Sequence, residues 1–69
     1  MKVVKLLENL EFEEFAAWNV EDFIRRRNID QVEDAIEMFI MNYNDEYDAN
    51  ITTEDVKEAL REYYERYLK

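Results

Sequence analysis

Apolar residues recur at helical spacing along most of this chain. Val32, Ala35, Ile36, Phe39, Ile40 and Tyr43 fall on one face of a helix over about 31–43, and Val56, Ala59, Leu60, Tyr63, Tyr64 and Tyr67 repeat the pattern over about 53–68. In the first half, Phe12, Phe15, Ala16, Val20, Phe23 and Ile24 suit one helix of 11–27, or two split at Asn19. Val3, Val4, Leu6, Leu7 and Leu10 suit a preceding helical segment over about 3–9. Helix starts are marked where a capping side chain precedes an acid by three residues, at Asp30-Gln31-Val32-Glu33 and Thr52-Thr53-Glu54-Asp55. Asn19-Val20-Glu21-Asp22 has the same form but fits the interior of a continuous helix equally well. The polar stretch Asn44-Asp45-Glu46-Tyr47-Asp48-Ala49-Asn50 reads as a loop, and the absence of Gly and Pro disfavours many tight turns. These patterns predict an all-α, compact three- or four-helix bundle formed by a single acidic domain over 1–69.

Length and composition narrow the chemistry. A chain of 69 residues buries only about 60% of the surface its unfolded form exposes, and domains this small usually add a staple. Cys and His are both absent, which removes disulfides, thiolate sites and imidazole sites and leaves a second copy of the chain, a homodimer, as a candidate staple. Ser is absent too, so the nucleophile–base arrangements built from Ser, Cys and His have no members here. Phosphate-cradling loops need glycine, and paired carboxylates need an enclosing pocket larger than a small bundle offers. The expectation is a non-enzymatic protein with no catalytic residues and no cofactor. Glu8 and Asn9 interrupt the N-terminal apolar run before it reaches signal-peptide length, and no segment approaches a membrane span, so a soluble, cytoplasmic protein with no membrane partner is expected.

Charge changes the picture most. The net charge is −9, and residues 28–56 alone carry −9 while the flanking segments cancel. Such a field opposes direct binding to nucleic acid. The one basic run, Arg25-Arg26-Arg27, has acids four residues earlier, pairing Glu21 with Arg25 and Asp22 with Arg26. Within the acidic stretch, Asp30, Glu33 and Asp34 fall in the first turn of a helix, where the macrodipole favours them. That leaves Glu37, and the crowding of Asp45, Glu46 and Asp48 in one short segment, unexplained by local structure.

Some apolar residues also exceed what a small core hides. Met38 and Met41 fall beside Phe39 and Ile40, so that turn is apolar all round, which suits a helix that meets a partner. Trp18, Tyr47 and Tyr64 are further candidate anchors, since at least one of the three tyrosines Tyr63, Tyr64 and Tyr67 should remain exposed. The expected function is an accessory subunit, adaptor or inhibitor. It would dock on a basic patch of a partner protein through the acids Asp30, Glu33, Asp34, Glu37, Asp45, Glu46 and Asp48. An alternative is a nucleic-acid mimic that inhibits a DNA- or RNA-binding protein, because carboxylates three or four residues apart on a helix lie about 5–6 Å apart at Cβ, roughly the spacing of neighbouring phosphates.

One segment has a second reading. With Asn44 as the first of twelve positions, Glu46, Asp48 and Asn50 occupy the third, fifth and seventh, Ile51 the eighth, Thr52 the ninth and Asp55 the twelfth. Tyr43, Ile40 and Ile36 precede this span at helical spacing, and Val56, Ala59, Leu60 and Tyr63 follow it. In this order residues 36–63 resemble the EF-hand, the helix–loop–helix calcium motif. The resemblance implies calcium ligation by Asn44, Glu46, Asp48, Asn50 and Asp55. Ala49 stands where the family has glycine, and Asp55 where it has a bidentate Glu.

Overall fold

A computed structural model describes residues 2–69, with side chains from Lys5 onward. Four helices follow one another: α1 (Lys2–Leu7), α2 (Leu10–Arg25), α3 (Ile29–Tyr47) and α4 (Thr53–Tyr67). The chain is therefore the all-α bundle that its periodicity predicts. Residues 11–25 lie in one helix, not two, and Asn19 sits within it with its amide donating to the Phe15 carbonyl at 2.8 Å. Val3 and Val4 lie in α1, their side chains outside the described residues.

Capping explains most of the boundaries. Asn9 caps α2, its side-chain oxygen accepting from the Phe12 N–H at 3.1 Å. Thr52 caps α4 in a reciprocal box: the Thr52 hydroxyl accepts from the Asp55 N–H at 3.3 Å, and the Asp55 carboxylate accepts from the Thr52 N–H at 2.9 Å. The expected cap at Asp30 is replaced. α3 begins two residues earlier, behind Asn28, whose left-handed backbone (φ 49°) turns the chain so tightly that Asp30 already lies in the first helical turn. With no glycine available, Arg26 (φ 57°) and Asp48 (φ 49°) supply the other left-handed positions, at the ends of α2 and α3. After each, the next residue's N–H reaches back five residues, Arg27 to the Asp22 carbonyl at 2.9 Å and Ala49 to the Asn44 carbonyl at 3.2 Å. This is the Schellman closure, usually built on glycine.

The larger correction is at the end of α3. Residues 44–47 continue the helix instead of starting a loop, so the connection to α4 shrinks to Asp48–Thr52. Aromatic packing carries the extension: Tyr43 stacks on Phe39 with ring centroids 5.6 Å apart, and Tyr47 meets Tyr43 in a tilted contact at 4.8 Å. The short connection is pinned by Asn44, whose amide donates to the Ile51 carbonyl at 3.1 Å while its oxygen accepts from the Ile51 N–H at 2.9 Å.

The core gathers one face of each helix. Leu6 and Leu7 from α1, Phe12, Ala16 and Val20 from α2, Val32 and Ile36 from α3, Ile51 from the connection, and Val56, Ala59 and Leu60 from α4 are buried together. Each larger one contributes about 1.5–3 kcal/mol on burial. α4 packs against all three other helices, and buried alanines on α2 and α4 (Ala16, Ala59) leave room for their axes to approach. Phe15 stacks on Phe39 at 4.8 Å and Phe12 meets the same ring edge-on at 5.7 Å, which fixes α3 against α2. Leu10, expected to join the apolar set, is instead largely exposed at the first turn of α2. No helix among the described residues is long and apolar enough to cross a membrane.

Candidate functional site

With Val32, Ile36, Phe39, Ile40 and Tyr43 turned inward, α3 presents the opposite stripe to solvent. That stripe holds Asp30, Asp34, Glu37, Met41, Asp45 and Asp48, spaced three or four residues apart, with Met38 beside them. All seven are exposed. Met38 and Met41 keep 55% and 59% of their surface in water, so the apolar turn predicted at 38–41 has only Phe39 and Ile40 facing inward. Among the described residues no ion pair reaches Asp30, Asp34, Glu37, Asp45 or Asp48.

The stripe's charge is set against the helix at its far end. Asp30 in the first turn of α3 lies with the macrodipole, but the last turn holds no base, and Asp45, Glu46 and Asp48 crowd around the negative pole.

Two of the seven acids expected on the docking surface are turned elsewhere. Glu33 faces α4, with its carboxylate 3.9 Å from the Lys57 ammonium. Glu46 faces the start of α2 and meets Glu11. Lost hydration at this helix contact, and then the Glu46 carboxylate, hold the Glu11 carboxyl above its usual range. Tyr47 keeps 46% of its surface exposed while packing on Tyr43, whose hydroxyl is pushed up by burial and by that neighbour.

The remaining apolar candidates lie apart from this stripe. Trp18 is 84% exposed and borders a shallow groove of about 350 Å³ shared with Tyr63 and Leu68 near the end of α4. Tyr64 is half-buried against the core. The exposed member of the tyrosine set is Tyr67, whose ring packs on Tyr63 at 4.9 Å. A second groove of about 460 Å³ runs past Tyr64, with Phe23, Ile24 and Ile29 as its apolar wall and Arg26, Lys57 and Arg61 among its rim. Arg61 lies over the Phe23 ring, 5.5 Å from its centroid. Arg27, rather than Arg26, pairs with Asp22, at 3.4 Å, because the left-handed turn at Arg26 swings its side chain away. Arg25 stands 3.9 Å from Glu21.

Three of the residues singled out by the EF-hand resemblance have neighbours of their own. Asn44 spends both amide functions on Ile51, Asp55 closes the cap on Thr52, and Glu46 projects from a helix toward Glu11. Among the described residues no three acidic side chains converge at metal-binding distance. Sequence reasoning missed the Asn44 clasp and the cationic rim of the second groove. The net positive charge of residues 57–69 was the available signal for the latter. No protein family, no curated relative and no solved structure matches this chain.

Proposed function

We propose that this protein is a non-enzymatic interaction module that docks through the outer stripe of α3 onto a basic surface of a partner protein. The observation that carries the reading is the pair Met38 and Met41, exposed at the centre of an acidic stripe whose carboxylates have no cation of their own among the described residues. An apolar centre within a charged rim is the anatomy of a protein interface, and thioether side chains adapt to irregular surfaces. The rim acids Asp34, Glu37 and Asp45 would steer a basic partner and set register, while the methionines would supply the desolvated contact. The methionines also favour a protein partner over mimicry of nucleic acid, because a phosphate-binding cleft offers no apolar counterpart at the stripe's centre.

The test is affinity capture with quantitative mass spectrometry, comparing wild type with three variants. Changing Met38 and Met41 to Ser, or Asp34, Glu37 and Asp45 to amides, should abolish capture of the same partner. Changing Lys57 and Arg61 to Gln on the opposite groove should leave capture intact. Equal capture by all four proteins would overturn the reading. Displacement of the partner by excess DNA or RNA duplex would favour mimicry instead.

A further inference from the structure

Trp18 is the sole tryptophan of the chain and keeps 84% of its surface in water. A side chain of this type covers about 150–250 Å² when buried, so its exposure forfeits one of the largest apolar contributions available to a small domain. The tryptophan does not stand on open surface. It lines a groove of about 350 Å³ together with Ala17, Tyr63 and Leu68, and Leu68 is itself 45% exposed. A projecting ring and a recess able to take a ring therefore lie side by side.

Charge at this place is also unlike the rest of the molecule. Glu21, Asp22 and Arg27 line the groove, and Arg25, outside the lining, stands 3.9 Å from Glu21, so that with it the local charge is balanced in a chain whose net charge is −9. Their present pairings are long and solvent-exposed, Arg25 to Glu21 at 3.9 Å and Arg27 to Asp22 at 3.4 Å. Pairs of that kind contribute little and are free to exchange partners. Two copies approaching here would meet less repulsion than at the acidic stripe of α3, and each would offer arginines to the other's carboxylates.

We propose that a second copy of this chain occupies the groove: two molecules pair about a two-fold axis beside Trp18, each placing its Trp18 in the other's recess between α2 and the end of α4. A knob adjacent to its own hole is what an isologous interface requires, since every contact is made twice. The patch is small beside the roughly 800 Å² per partner of a stable interface, which puts dissociation in the micromolar range or weaker. The inference uses a different face from the docking stripe on α3, so the two stand or fall separately.

The experiment is sedimentation equilibrium combined with tryptophan fluorescence, from roughly 1 µM to 1 mM, the range in which such an interface dissociates. The expected result is a monomer–dimer equilibrium, with emission moving to shorter wavelength and iodide quenching falling as dimer forms. Trp18→Ala and Leu68→Glu should be monomeric throughout while keeping the helical circular-dichroism spectrum, because neither side chain is in the core. The Met38/Met41→Ser protein should dimerise like wild type. A monomer with unchanged emission at the highest concentration overturns the proposal. So does a dimer that survives Trp18→Ala, or one lost in the methionine variant.

Discussion

Asn44 does with one side-chain amide what a neighbouring strand would do with its backbone. Both the N–H and the C=O of Ile51 are paired by it, at 2.9 and 3.1 Å, while the Ile51 side chain is buried in the core. A part-buried peptide stripped of its partners costs about 1–3 kcal/mol, so Asn44→Ala should lower the melting temperature by about 5–15 °C in a domain of this size. Asn44→Asp keeps the acceptor but sets a carboxylate against the Ile51 carbonyl, and should lose nearly as much. Thermal melts followed at 222 nm check both, and a melt unchanged by Asn44→Ala would mean that the connection holds without the clasp. This residue also shows where sequence reading stops. The one-dimensional order that set Asn44 and Ile51 seven residues apart, as the first and eighth positions of a calcium loop, is the same order that lets the amide bond the peptide. The polar residue type does not say which use is made of it.

At the scale of elements, the helices with a strong inward stripe were legible, because Val32 through Tyr43 and Val56 through Tyr64 each return to the core every three or four residues. The last turn of α3 was not. Asn44, Asp45 and Glu46 are polar, and a helix end with one half-buried side looks like loop until Tyr47 is seen packing on Tyr43. Of the docking stripe, the acids and methionines were legible by type. Which acids face outward depended on where α2 and α4 lie, and that is tertiary information. The extended α3 carries an electrostatic cost at its end, where acids gather at the negative pole of the macrodipole and Glu46 opposes Glu11. Glu46→Lys should therefore raise the melting temperature at neutral pH, the macrodipole share alone being about 0.3–1 kcal/mol. The pH dependence has a definite sign. Because the folded protein holds the Glu11 carboxyl above its usual value, the stability linked to its protonation is full below the unfolded value. It is lost as pH rises through the higher, folded one. The advantage of Glu46→Lys over wild type should thus shrink on acidification toward pH 4.5, the ordinary value for Glu11. An advantage that stays constant across that range would remove Glu11 from the account.

At the scale of the whole molecule, the radius of gyration of 11.0 Å equals the value of about 11 Å expected for a close-packed chain of this length. Nine excess negative charges are thus held within a radius comparable to the Debye length of about 10 Å at 0.1 M salt. The ion pairs that salt would weaken are exposed and contribute little, whereas the repulsion among the α3 carboxylates that have no cation partner among the described residues is spread over the whole helix. Raising sodium chloride from about 0.02 M to about 0.3 M, where the Debye length falls by several-fold, should therefore stabilise the fold. The gain should be on the order of 1 kcal/mol, or about 4–8 °C in melting temperature. The same screening should act oppositely on the proposed docking. Loss of steering between the α3 stripe and a basic partner lowers affinity by about tenfold, mostly through slower association. Two opposite salt responses from one set of carboxylates distinguish a surface kept acidic for a partner from one that only keeps the protein in solution. If affinity for the captured partner held steady while the melting temperature rose, the acids would still account for the fold's salt response but would have no part in recognition, and Met38 and Met41 would have to carry the contact alone.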